Sequence, residues 1–251
     1  MKTVDCCTDI EYCNGRGLHR ILMAVALCVM AFQAHAQSSS TYPLPDTIDS
    51  RIQACTACHG VQGQGTRDDY FPRLAGKPAG YLYNQLIAFR DGQRKYPPMN
   101  YLLAYLPDTY LQEIAGYFAA QRTPFPALPK PDVSPQVLAL GKQLVFKGDN
   151  ARHIPACSAC HGASLTGVSP DIPGLLGLHS KYISAQLGAT RYGTRVGGKT
   201  NCMRSLTTKL SEADITAVSA YLSSLPAPLD PAPAPAGSLK LALTCEGAET
   251  K

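Results

Sequence analysis

Two stretches of five residues constrain this chain more than anything else in it: Cys55-Thr56-Ala57-Cys58-His59 and Cys157-Ser158-Ala159-Cys160-His161. Each reads C-x-x-C-H, the attachment spacing of c-type haem. Two thiols at that spacing add across the haem vinyl groups, and the His that follows offers an imidazole nitrogen to the iron. Rival chemistries fit less well. A dithiol redox pair has no use for the His, and a zinc site needs its two Cys pairs close together, whereas these lie far apart in the chain. The expected cofactors are therefore two covalent c-type haems, held by Cys55, Cys58, Cys157 and Cys160.

Residues 1–36 read as an export leader. Arg16, His19 and Arg20 supply the basic flank, Ile21 to Phe32 the uncharged apolar core, and Ala34-His35-Ala36 an A-x-A site with cleavage expected after Ala36. The alternative, an uncleaved anchor, has a short apolar run for a bilayer. Cleavage removes Cys6, Cys7, Cys13 and Cys28, leaving Cys202 and Cys245 outside the two motifs. In an oxidising compartment such a pair is expected to form a disulfide. A thiolate ligand from Cys202 to the second iron is the competing reading. The formal net charge of +5 carries no basic run interleaved with aromatics, so nucleic acid is not an expected partner.

Past the leader the chain reads twice. The first domain is expected over 37–121, with helices at 46–55, 80–90 and 109–121, Asp108 capping the last. Residues 122–135 carry Pro124, Pro126, Pro129, Pro131 and Pro135, a semi-rigid linker. The second domain follows over 136–225, with a helix at 136–147 entering the motif and a final helix opened by Ser211-Glu212-Ala213-Asp214. A Pro-rich tail takes up 226–251. Tyr81, Gln85, Leu86, Arg90, Gly92 and Arg94 recur in register as Tyr182, Gln186, Leu187, Arg191, Gly193 and Arg195. The expectation is an all-α fold of two tandem domains, each packing short helices on a flat apolar cofactor.

Iron also needs a ligand on its far face. Only Met99 and Met203 remain after the leader leaves, one per domain, each in a loop before the last helix. They read as axial partners of His59 and His161, which would raise the reduction potential and close the sixth position. A Met that merely fills core space is the alternative. Pro72 and Pro173 are placed to offer their carbonyls to the second ring nitrogen of His59 and His161, or serve as plain turn residues. His153 and His179 read as surface residues, with a swapped ligand as the alternative.

This tandem arrangement resembles dihaem class I cytochromes of the cytochrome c4 type. So do the stretch Leu-Ala-Gly-Lys-Pro … Tyr-Leu-Tyr-Asn-Gln-Leu-Ile-Ala-Phe-Arg-Asp-Gly over 74–92 and Pro97-Pro98-Met99. The resemblance covers nearly all of 46–225. It implies electron transfer in the periplasm, two haem edges that approach each other, and the ligand pairs His59 with Met99 and His161 with Met203. The longer Met loop of the second domain, with Cys202 in it, departs from the pattern.

The function expected is that of a non-enzymatic carrier, or the cytochrome subunit of a dehydrogenase. Its donor would be a quinol-oxidising complex or a dehydrogenase and its acceptor a terminal oxidase or reductase; peripheral membrane association stays open. The competing class is an enzyme, resembling thiosulfate dehydrogenases or peroxidases, which would need a Cys-ligated or open second haem.

Overall fold

The computed structural model describes residues 45–196 and 202–240, which belong, from Asp46 onward, to one compact unit. The leader with its cleavage site, the segment 197–201, and Cys245 lie outside the described residues.

In the first half, α1 (Ile48–His59) starts at Thr47, whose side chain accepts from the Ser50 amide, and runs through the whole haem motif. The helix expected to stop at Cys55 thus continues to the ligand itself. It stops at Gly60, whose φ of +84° suits only a residue without Cβ. Next come α2 (Ala79–Arg90), α3 (Pro97–Leu103) and α4 (Asp108–Ala120). Met99 lies on α3, not in a loop: prolines at the first helical positions lack only an N–H that a helix start leaves unpaired. Asp108 is not the cap, which is Pro107. Its carboxylate instead takes Arg90 Nη1 at 2.5 Å and the Tyr83 hydroxyl at 3.2 Å. Two apolar clusters form here, one around Ile52, Leu82, Ile114 and Phe118, the other around Phe89, Leu103 and Leu111.

Residues 121–134 have no regular structure, yet they are pinned. Buried Arg73 donates to the carbonyls of Thr123 (2.6 Å) and Pro124 (2.7 Å) and lies over the Phe125 ring.

In the second half, α5 (Pro135–Phe146) is followed by a 3-10 turn, Asn150–Arg152, and the motif resumes on its own single turn, α6 (Ser158–His161). The expected helix therefore does not enter the motif directly. Gly148 at φ +71° and the Ile154-Pro155 step break it. A two-residue hairpin follows, β1 (Gly167–Val168) against β2 (Ile172–Pro173), then α7 (Ser180–Arg191), α8 (Cys202–Thr207) and α9 (Glu212–Ser224). One apolar cluster, including Leu144, Val145, Ile183, Ile215 and Leu222, joins α5, α7 and α9. The tail past Ser224 lies along the hairpin, Ala234 exchanging backbone hydrogen bonds with Gly167 and Ser169.

Helix α9 opens with a reciprocal capping box between Ser211 and Asp214. Asp214 also accepts from both terminal guanidinium nitrogens of Arg152, at 2.7 and 3.2 Å. Hydrogen bonding from Arg152, and then from Ser211, holds the Asp214 carboxyl below its ordinary value despite its burial. Asp214→Ala is expected to cost about 2 kcal/mol, one cap plus an ion pair discounted for the half-exposed Arg152. Because the folded pKa is depressed, this stabilisation is present above about pH 4 and fades as pH falls through the folded value. Thermal melts of Asp214→Asn should show a flatter acid limb than the parent; an unchanged limb would refute the assignment.

Candidate functional site

Each half encloses one cavity beside its motif. The first, about 470 Å³, is lined by Cys55, Cys58, His59, Pro72 and Met99 among others. The second, about 330 Å³, is lined by Cys157, Cys160, His161, Pro173 and Met203. The structure thus brings each expected residue set to one cavity wall. Both cavities are of ordinary ligand size and mostly apolar.

His59 and His161 are both buried at the ends of their helical turns. His59 Nδ1 lies 2.9 Å from the Pro72 carbonyl oxygen and His161 Nδ1 2.7 Å from that of Pro173. With Nδ1–H donating there, Nε2 is the nitrogen left for the cavity. Burial lowers the pKa of both rings and outweighs the hydrogen bond to the Pro carbonyl. Arg94 adds to the lowering at His59, Lys77 and Arg195 at His161. Burial thus favours the neutral ring, the form that ligates a metal. The four motif cysteines are not joined in disulfides. Burial pushes Cys55 and Cys157 up to about 11, which is the reverse of an activated redox dithiol.

Met99 is held by its neighbour. The Asn100 side chain accepts from the Tyr96 amide at 2.8 Å and donates to the carbonyls of Phe89 (2.5 Å) and Arg94 (2.8 Å), tying α3 to the end of α2. Met203 is more open, at 36% exposure. Cys202 beside it lines the second cavity and is disulfide-bonded.

The two remaining histidines line neither cavity. His153 is exposed. His179 corrects the surface reading: it is 5% exposed, with Nε2 donating to the Thr66 carbonyl at 3.0 Å and Nδ1 3.0 Å from Asp69 Oδ1. A loop of the first half covers it, so it serves as a bracket between halves.

The residues that sequence reasoning left without a role lie between the cavities. Arg94 donates to Gln85 Oε1 (2.9 Å), the Tyr182 hydroxyl (3.0 Å) and Gln186 Oε1 (2.6 Å). Arg195 answers with the Tyr81 hydroxyl (3.0 Å) and Gln85 Oε1 (3.1 Å). The backbones of Arg94 and Arg195 form an antiparallel bridge. Tyr81, Gln85, Tyr182, Gln186 and Arg195 line both cavities, so these residues form a shared wall. The signal for it was present in the recurrence of Tyr, Gln and Arg in both halves at polar positions that core packing does not require.

This wall tests whether the residues fit haem. Neither Arg94 nor Arg195 is salt-bridged to a carboxylate among the described residues, and buried Arg195 Nε has no hydrogen-bond partner. Buried cations without anions complement a ligand that brings its own carboxylates. A haem does, and its apolar face suits the rest of each cavity. The thiols, the neutral imidazoles and this cationic wall all fit the group.

Comparison with known proteins agrees. The model of the family described as cytochrome c matches residues 51–110 and 138–226. A protein of Stutzerimonas stutzeri (strain A1501) described as a thiosulfate dehydrogenase electron acceptor is 33% identical over 84% of this chain and 96% of its own length. Cytochrome c4 of Pseudomonas aeruginosa is 37% identical, over 70% of this chain and 86% of its own. The crystal structure of reduced recombinant cytochrome c4 from Pseudomonas stutzeri superposes with a TM-score of 0.60 at 32% identity, covering 71% of this chain and 96% of that one.

Proposed function

This chain belongs to the cytochrome c family, with the dihaem organisation of cytochrome c4, and on that footing we propose that it carries electrons between redox proteins in the periplasm. One observation carries the reading. Each cavity gathers two motif cysteines, a neutral His and a Met, and the two cavities share a wall. His59 with Met99, and His161 with Met203, would hold the two irons, and Cys55, Cys58, Cys157 and Cys160 the porphyrin edges. When bound, each haem supplies a one-electron couple that His and Met ligation sets high. The Pro72 and Pro173 carbonyls orient the imidazoles, and Asn100 holds the Met99 helix in place. We keep the division into domains at 37–121 and 136–225, within which both family matches fall to within a residue.

A periplasmic dehydrogenase is the donor we favour, since the Stutzerimonas relative is described as the electron acceptor of thiosulfate dehydrogenase. A quinol-oxidising complex as donor, and an oxidase or reductase as acceptor, complete the proposal. No helix among the described residues is long and apolar enough to cross a membrane. The catalytic alternative needs a thiolate or an open position at the second iron. A sulfur committed to a disulfide is not that thiolate, and we assign Cys245 as the partner of Cys202.

The test is spectroscopic. Visible and low-temperature spin-resonance spectra of the oxidised, exported protein should show two low-spin His/Met haems, unchanged in ligation by thiol reductant. A thiolate-ligated or high-spin haem in the parent protein would overturn the reading. Met99→Ala should convert one haem of the two to a high-spin, ligand-accessible form and lower its potential, leaving the other haem low-spin. Retention of two low-spin haems in that variant would remove Met99 from the ligand set.

A further inference from the structure

Lys77 is a cation in an unusual place. Its backbone belongs to the first half, in the turn before α2, yet its side chain crosses to the second: Nζ donates to the Gly174 carbonyl at 2.8 Å. Gly174 follows Pro173, the residue whose carbonyl holds His161. Lys77 is 8% exposed and lines both cavities. An ammonium has three N–H donors, and the structure records one acceptor. No carboxylate of the described residues lies within salt-bridge distance of it.

A buried ammonium left in that state is costly. Burial, with Arg73 and Arg195 nearby, pulls its pKa down to about 7. An anion arriving in the cavity would satisfy both the charge and the idle donors. The second cavity is the one it serves. Its ammonium is anchored on Gly174, which lines the second cavity one residue past the Pro173 carbonyl that holds His161.

We propose that Lys77 is a counter-cation supplied by the first domain to the carboxylate edge of the haem in the second domain. The inference rests on the proposed haem sites and goes further: the potential of the second haem depends on a residue of the other domain. A fixed positive charge near an iron favours the reduced, less positive state. Removing it should lower the potential of the second haem and spare the first.

The experiment uses the exported protein with its haems attached. Haem content by pyridine haemochrome comes first. Two haems per chain in the parent tests the proposed function on its own, and a different number sinks that reading, not the role of Lys77. Redox titration followed by haem-methyl proton resonances assigned to each domain then separates the two potentials. In Lys77→Met, at a fixed ambient potential, the ferrous-to-ferric ratio of the second haem should fall about tenfold, the size expected of one buried charge. The first haem should stay within about twofold, and Lys77→Arg should stay near the parent at both. If Lys77→Met is exported poorly, Lys77→Gln, which keeps a donor for Gly174 without the charge, decides on the same criterion. An unmoved second haem, or equal movement of both, overturns the proposal. A role confined to the Gly174 hydrogen bond would leave Lys77→Gln at the parent potential.

Discussion

Made without haem, this chain is expected not to fold. Each half is built around its cavity: Leu82, Ile114 and Phe118 line the first, and Leu144, Ile183 and Val218 the second. These are also members of the buried apolar clusters, so the cofactor space interrupts the cores. Apolar spaces of about 470 and 330 Å³ inside cores this small leave the lining side chains without the contacts that a close-packed interior supplies. A domain has only about 5–15 kcal/mol of net stability. The unpaired wall of Arg94, Arg195 and Lys77 adds to the deficit, since buried charge without counter-charge opposes folding. Chain produced with all four motif cysteines changed to Ala should show weak far-ultraviolet helix signal and no cooperative thermal transition. A sharp melt with full helix content would show that the helices pack without the cofactor. Cys55→Ala with Cys58→Ala should halve the covalent haem content and leave a cooperative transition from the second domain, whose apolar cluster is separate.

A single added methyl group should also destabilise the second half, though by less. Gly141 lies inside α5 where that helix crosses α9. A Cβ built there would stand 2.2 Å from the Ala217 carbonyl oxygen and 2.6 Å from Tyr221 Cβ. Alanine is the better helix former by about 1 kcal/mol, but the nearest atom it meets is backbone and cannot turn aside. Gly141→Ala is expected to cost about 3 kcal/mol net, at the upper end of overpacking effects. Gly116 supplies the contrast. It too is inside a helix, α4, but it is exposed and a Cβ there meets nothing within 4 Å. Gly116→Ala should stabilise by about 0.5–1 kcal/mol. Thermal or denaturant melts of the two holoprotein variants check both signs at once. A gain at Gly141 would mean that α5 and α9 can move apart freely.

Those two glycines look alike in the sequence, and helix propensity penalises both. Only the packing of α5 on α9 separates them. His179 teaches the same lesson. A polar residue opening a helix reads as surface, and it is buried because Thr66 and Asp69, from a distant loop, close over it. The first Met loop became a short helix because prolines at the first turn favour a helix start as readily as they break one. The capping box of α9, by contrast, was legible, because all of its partners lie within four residues.

What the sequence determined by itself is the chemistry that lives in short stretches. C-x-x-C-H twice, the recurring Tyr, Gln and Arg positions and the apolar periodicity sufficed for the family, the all-helical class and the two-part organisation. Those signals need only covalent neighbours and helical spacing. What the tertiary structure alone decided is where residues from opposite halves meet. It set Arg94 against Gln186, Arg195 against Tyr81, and Lys77 against Gly174. The physical reason is that a buried cation is tolerated only where polar oxygens from distant parts of the chain converge on it, and no local pattern records that convergence.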